Sequence, residues 1–413
     1  MTDNSLQHDG KKRGRVRIGL LGKIILAIAL GVGAGYVFPE WCARLFATFN
    51  SIFSEFLGFS IPLIILGFVA PAIAEIGKSA GKMLITTALL AYGFTILAGL
   101  TSFCVSDTLF PSMVEPTRYL DAGGGQPQSS IPYFNIEMPP LMSVMTALVL
   151  AFVLGLGTAM LPPGAMRHGL DQFREIISLV IKKVIVPLLP IYIFGIFLNM
   201  TIVGQVGLVM GTFAKIIAVI FGIHIFYLLF QFCVAALVSR QPGQRNPLKM
   251  LGKMMPAYFT ALGTQSSAAT IPVTLRQTVS MGVNKGIAGF VVPLCATIHM
   301  SGSTLKIVAC ALALMLLNHI PYDFPMFMGF ICMLGITIIA APGVPGGSIM
   351  ASLGLLSSML GFSEADNALM IALYIAMDSF GTACNVTGDG AIAVIVNRIF
   401  RNTRTDIPQA DGE

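Results

Sequence analysis

"LGTQSSAATIP", Leu262–Pro272, sets Thr264, Gln265, Ser266, Ser267 and Thr270 almost side by side in a chain that is otherwise apolar. Gly263 precedes the cluster and Pro272 closes it, so the run reads as a break in a helix. The surrounding chain decides what such a break means. Of its 413 residues 55% are hydrophobic and 11% charged, and the mean hydropathy is +0.82. Soluble domains carry about 25% charged residues. The chain is therefore expected to be an all-α integral membrane protein, long enough for roughly eight to ten spans of about 20 residues. The first apolar stretch is followed by no small-residue cleavage pattern and reads as a span. The seven cysteines (Cys42, Cys104, Cys233, Cys295, Cys310, Cys332, Cys384) are scattered without a CxxC and read as small buried hydrophobes.

Upstream of the hydroxyl cluster, apolar runs at about 18–38, 45–74, 83–110, 139–161, 176–200 and 207–238 predict six membrane helices. Basic residues gather in alternate connections: Lys78 and Lys82; Arg167, Arg174, Lys182 and Lys183; Arg240, Arg245, Lys249 and Lys253; then Arg398, Arg401 and Arg404. The intervening loops hold only Arg44 and Arg118. Positive charge marks the cytoplasmic side, so both termini are expected inside, with Trp41 as an outer-interface anchor. The net charge of +6 is thus an orientation signal, and no nucleic-acid partner is expected. The loop at 111–138 reads as flexible and extracellular.

From Asn246 onward, "GTQSSAATIP", "CATIHMSGST", "APGVPGGSIM" and "MDSFGTACNVTGDG" interrupt the apolar runs. Non-helical backbone at membrane depth is tolerated only where it is buried in protein or lines a cavity. Broken segments in corresponding positions of two repeats point to a transporter's binding site. Ser266 and Gly346 lie 80 residues apart, and each break opens a hairpin followed by a long span. The order is hairpin, span, hairpin, span, and tracking sides makes the two units inverted. The expected architecture is eight transmembrane helices plus two re-entrant helical hairpins.

The last span carries the strongest pattern. Asp378, Thr382, Asn385 and Asp389 are spaced by 4, 3 and 4 residues, which at about 100° per residue makes one polar stripe. Acidic residues inside a span point to function. The alternative is a packing face with polar glue, which two aspartates without an evident basic partner disfavour. Their oxygens suit a hard cation such as Na⁺, with Asp389 giving a charge and Asn385 an amide oxygen, while Asp378 can pair with a substrate ammonium. Ser266 and Ser267 open the second arm of the first hairpin, where free N–H groups favour an anion. A carboxylate cradle facing an aspartate reads as an amino-acid site. Ordinary N-capping by serine is the plainer alternative.

Together these segments resemble the dicarboxylate/amino acid:cation symporter family of archaeal aspartate transporters, bacterial serine/threonine symporters and mammalian glutamate transporters. "TQSSAATIP" and "GVPGGSIM" look like its two hairpin tips, "PLCATIHMSGST" is similar to its "PLGATINMDGT", and "NVTGD" matches its last-span motif. The resemblance implies a homotrimer in the cytoplasmic membrane working as an elevator, with no cofactor beyond Na⁺ as coupling ion. It divides the chain into a cytoplasmic tail (1–17), scaffold helices (18–77 and 139–206), a third helix of the transport domain (78–110), the extracellular loop (111–138), the remaining transport domain (207–399) and a second tail (400–413). Substrate is expected on Ser266, Ser267, Ser303, the Val344 backbone, Asp378, Thr382 and Asn385. One Na⁺ is expected on Asp389, Asn385 and carbonyls near Cys295 and His299. A second is expected on carbonyls near Thr297 and around Ile338, Ile339 and Ala341.

The departures bear on substrate. Acidic-substrate members carry an arginine where this chain has Gly381, and the archaeal first-tip arginine is Gln265 here. An unpaired buried charge is expensive, so a small neutral amino acid such as serine, threonine or alanine is expected. The family's further sodium aspartate is Ser301. Lys306, one turn beyond Ser303, leaves three readings open: it replaces the missing arginine for an acidic substrate, it pairs with Asp378 or Asp389 as a tethered cation, or it snorkels. His299 either carries a coupling proton or is a satisfied core residue, and His224 reads as core. A channel lacks a ringed filter sequence. An aspartyl protease would need its two acids together, whereas Asp378 and Asp389 are roughly 16 Å apart along one helix. No phosphate-binding loop supports an ATP-driven pump.

Overall fold

The computed structural model describes residues 19–78, 82–114, 131–162, 164–204, 206–239, 241–339 and 346–400. Among them the chain forms fifteen α-helices and no strand. They are α1 Leu20–Gly35, α2 Glu40–Lys78, α3 Lys82–Met113, α4 Val144–Met160, α5 Ala165–Val180, α6 Val186–Ile202, α7 Val206–Val238, α8 Pro247–Thr264, α9 Ser267–Ser280, α10 Lys285–Ile298, α11 Ser301–Leu317, α12 Phe324–Ile339, α13 Gly347–Leu360, α14 Glu364–Ala376 and α15 Asp378–Phe400. Several are long and apolar enough to cross a bilayer, including Lys82–Met113, Met210–Val238 and the composite Lys285–Leu317.

The six apolar runs of the first half each become a helix, with displaced boundaries. The connection expected at 39–46 is nearly absent. Pro39 accepts from the N–H of Cys42 at 3.0 Å and of Ala43 at 3.3 Å, so α2 begins at once behind a proline whose fixed φ suits a helix start. The span expected from 176 starts at Ala165 because α5 is amphipathic. Leu170 and Ile177 are buried while His168, Gln172 and Glu175 are exposed, a periodicity that an apolar-run reading passes over. A π-helical turn at Ile181–Ile185, containing Lys182 and Lys183, joins α5 to α6. The second half of the 111–138 loop is strapped to α2. Arg44 Nε donates to Ile131 O at 3.1 Å and lies 4.2 Å over the Tyr133 ring, and Met138 N donates to Glu55 Oε2 at 3.0 Å. The expected flexibility does not hold for residues 131–138, and 115–130 lie outside the described residues.

The helices sort by packing. α2 lies on α4, α5 and α6, and α1 lies on α6. α3, α7, α8, α9, α10 and α11 gather around one another and around α15. α8 and α9 fold back on each other as a hairpin, and α12 and α13 also pack together. α11 and α15 form the centre. Nearly every residue of both is buried, including Lys306, Asp378, Asn385 and Asp389. Their close crossing depends on glycine: a Cβ on Gly302 would stand 2.5 Å from Cys384 Cβ and from Gly381 O. Only a glycine lets the two backbones approach this far.

Candidate functional site

The hydroxyl cluster lies at the turn of the α8–α9 hairpin. α8 stops at Gln265, which takes a left-handed conformation (φ 53°). Ser266 is extended and its Oγ accepts from Ala269 N at 3.3 Å, capping α9. Thr270 Oγ1 donates to Ser266 O at 2.8 Å, so part of the cluster holds its own turn. Ser267 is half-buried at the first position of α9, among the helix-start N–H groups that have no helical partner. Gln265 Nε2 donates to Ser379 Oγ at 2.7 Å and ties the hairpin tip to the start of α15.

The long span around "ATIHMSGST" is broken at His299–Met300, between α10 and α11. Met300 N donates to Thr95 Oγ1 at 3.3 Å, and Gly302 N to Asn385 Oδ1 at 2.8 Å. Side chains of α3 and α15 thus take N–H groups that a continuous helix would use. Asn385 Nδ2 in turn reaches Ser303 Oγ at 3.3 Å and Met300 Sδ at 3.5 Å. Ser303 Oγ also accepts from Tyr374 OH at 3.1 Å.

A second break, at Met377, separates α14 from α15. Beside it Asp378 meets the second hairpin: Gly346 N donates to Asp378 Oδ2 at 2.8 Å, from a backbone with φ +77° that favours glycine. Lys306 Nζ lies 3.7 Å from Asp378 Oδ1, donates to Met377 O at 3.1 Å and sits 4.0 Å over the Tyr374 ring. Lys306 is 2% exposed, so it does not snorkel; of its three readings, the two that keep it inside remain. A Cβ on Gly381 would fall 2.2 Å from Lys306 Nζ. The ammonium therefore occupies the space into which any side chain at position 381 would grow.

One helical repeat further, His299 Nδ1 lies 2.9 Å from Asp389 Oδ1 and 3.2 Å from Asn385 O. Its Nε2 meets Ser301 Oγ and the Gln231 amide at 3.1 Å. The stripe's two aspartates thus each have a basic partner, which sequence spacing did not reveal: the partners lie 72 and 90 residues away along the chain. Thr382 Oγ1 donates to Asp378 O at 3.1 Å within its own helix. Cys295 is buried, its carbonyl accepting from His299 N at 2.8 Å. Thr297 is exposed, with its hydroxyl on Leu294 O at 2.7 Å. Ile338 is buried and Ile339 partly so. Val344 and Ala341 lie outside the described residues. His224 is a satisfied core residue, 3.2 Å from Tyr258 OH.

The structure therefore gathers Ser303, Asp378, Asn385 and Asp389 with Lys306 and His299, and holds the first-hairpin turn against the same helix. Sequence reading missed Tyr374, Gln231 and Thr95. Tyr374 stands four residues before Asp378, so extending the spacing backward would have found it, although the break at Met377 puts it on α14. Gln231 and Thr95 are two among several polar residues of apolar helices, and no motif marks them.

Residues 20–399 match the family described as the sodium:dicarboxylate symporter family. Over 407 residues the chain is 28% identical to a serine/threonine transporter SstT of Acinetobacter baumannii, covering 90% of this chain and 95% of that protein. It is 27% identical, with the same coverage, to the SstT of strain AYE of that species. The chain belongs to the sodium:dicarboxylate symporter family. It is a multi-pass membrane transporter, not an enzyme, and the resemblance read from its motifs is borne out.

Proposed function

We propose that this family member imports a small neutral amino acid, such as serine, threonine or alanine, across the cytoplasmic membrane in symport with Na⁺. The observation that carries this reading is the convergence of three chain breaks on one helix, α15. The first hairpin reaches Ser379 through Gln265, the second reaches Asp378 through Gly346, and the His299–Met300 break reaches Asn385 through Gly302. Irregular backbone at membrane depth has a use where it lines a substrate chamber. On this reading the Ser266–Ser267 turn takes the substrate carboxylate, and Asp378, which keeps Lys306 on its other side, shares its carboxylate with the substrate ammonium. Ser303, Thr382, Asn385 and the Val344 backbone complete the chamber. Na⁺ binds carbonyls near Thr297, Ile338, Ile339 and Ala341. The packing of α3, α7–α11 and α15 around one another supports a transport unit that moves against α1, α2 and α4–α6 as an elevator. The remaining parts of the reading are eight spans with two inverted hairpins, a homotrimer, and cytoplasmic termini. The name of these relatives, serine/threonine transporter, supports a hydroxylated substrate.

Neutrality follows from Lys306. The buried ammonium is engaged by Asp378, Met377 O and the Tyr374 ring, so no free cation awaits a side-chain carboxylate. A second reading has one observation behind it: the same ammonium fills the space beside Gly381, and it binds an acidic substrate by swinging off Asp378.

The test is uptake by purified protein in liposomes under an inward Na⁺ gradient. Serine or threonine uptake that needs Na⁺ is expected. Failure to take up any amino acid under Na⁺ or H⁺ gradients refutes symport. Aspartate uptake lost in Lys306→Ala selects the acidic reading.

A further inference from the structure

We infer that the His299 imidazole fills the cation position at Asp389, leaving this transporter without a Na⁺ there and with its sodium coupling confined to the position near Thr297 and the second hairpin. The inference rests on the cation-coupled reading above and fixes how many ions it uses.

A desolvated cation needs several oxygens to replace its lost hydration shell. Asp389, 1% exposed, offers Oδ1, which His299 Nδ1 already meets at 2.9 Å. The Asn385 backbone carbonyl lies 3.2 Å from the same nitrogen. The Asn385 amide oxygen accepts from Gly302 N at 2.8 Å, and the Cys295 carbonyl accepts from His299 N at 2.8 Å. Each of these oxygens thus faces an N–H of the protein. Around the ring Asp389 Oδ2 and the Gln231 amide oxygen are left without partners, and two oxygens are too few to replace a cation's hydration shell.

The ring is also held in place. His299 is fully buried. Its Cε1 lies 2.5 Å from where a Cβ on Gly388 would stand, and the Gln231 amide oxygen 2.7 Å from the same point. The glycine of "NVTGD" therefore makes the room that the imidazole occupies. On the far edge, Nε2 is bracketed by Ser301 Oγ and Gln231 Nε2. The Gln231 amide oxygen has no partner as placed, and rotating that amide by half a turn brings the oxygen to the Nε2 edge. Position 301 carries a hydroxyl, so no second carboxylate is available to hold an ion beside the ring. A cation at Asp389 would have to expel a packed side chain that already answers the carboxylate.

The experiment is a Na⁺ titration of the purified full-length protein at constant ionic strength, with choline as the replacement ion. Thermal stability is read with and without serine. Stabilisation rises with the logarithm of ion concentration in proportion to the number of ions bound, so the wild type should show a slope of about one ion and His299→Asn about two. A wild-type slope near two ions overturns the inference, whatever the variant does. A His299→Asn protein that folds and gains no Na⁺ response overturns it as well, because the ring would then not be what closes the position. If that variant does not fold, the wild-type slope decides. A wild type with no Na⁺ response fails the proposed sodium coupling but agrees with a closed Asp389 position, so the two failures are distinguishable.

Discussion

Gly381→Ala tests the placement of the buried ammonium directly. Its new methyl group would lie 2.2 Å from Lys306 Nζ and 2.3 Å from Lys306 Cε. The end of a lysine can swing, but here swinging separates it from Asp378, Met377 O and the Tyr374 ring. At 3.7 Å the Lys306–Asp378 attraction is about 4 kcal/mol for an effective dielectric constant of 20. Breaking a buried pair while leaving one charge uncompensated costs about 3–5 kcal/mol. Against this, replacing glycine by alanine inside a helix returns at most about 1 kcal/mol. The expected net loss is roughly 2–4 kcal/mol, or roughly 2–5 °C in unfolding midpoint for a chain of this size. The decisive comparison is the same substitution in a Lys306→Ala background. With the end of the lysine gone, the two closest approaches disappear and the next is Gly302 O at 3.3 Å, so the change should be within about 0.5 kcal/mol of zero. The double-mutant cycle should therefore give a coupling energy of at least about 2 kcal/mol. Circular dichroism in detergent at one scan rate measures all four proteins. Equal losses in both backgrounds would refute the argument that Lys306 fills the space beside Gly381.

Gly346→Ala forces a Cβ into a backbone with φ +77° while its surroundings, Ile375 at 3.6 Å, have room. The strain of about 1–2 kcal/mol falls on the N–H that holds Asp378, so uptake should drop with little loss of fold, as uptake and thermal stability measured together will show. Ser363 and Asp366 form a capping box at the start of α14. Ser363→Ala should cost about 1 kcal/mol of stability and leave the substrate concentration for half-maximal uptake unchanged, since the cap lies at the far end of α14 from Tyr374.

The membrane class, the six helices of the first half and the breaks of the second were legible because each is a local property. An apolar run must be helical in lipid, and a cluster of hydroxyls, glycines and prolines must interrupt it. The stripe Asp378, Thr382, Asn385, Asp389 was legible because helical period is a property of spacing alone. Element ends were less so. α2 and α5 start before their apolar runs, because a proline start and an amphipathic turn continue a helix without adding hydrophobicity. The role of Ser266 divides the same way. Its cap on α9 followed from local preference, whereas the contact of neighbouring Gln265 with Ser379 needed the fold.

What the sequence by itself determined is that this chain crosses a membrane, breaks its helices at four places and carries two acids and an amide on one face. What only the tertiary structure decided is which basic side chain stands against which acid of that face. In the sequence Lys306 reads as a lysine that snorkels, binds substrate or pairs with one of the two aspartates without saying which, and His299 as a histidine with or without a coupling proton. Packing sets one against Asp378 and the other against Asp389, across the crossing that Gly302 permits. The reason is physical: pairing of buried charges depends on distances of 3–4 Å between atoms. No spacing along the chain encodes those distances until α11 and α15 lie side by side.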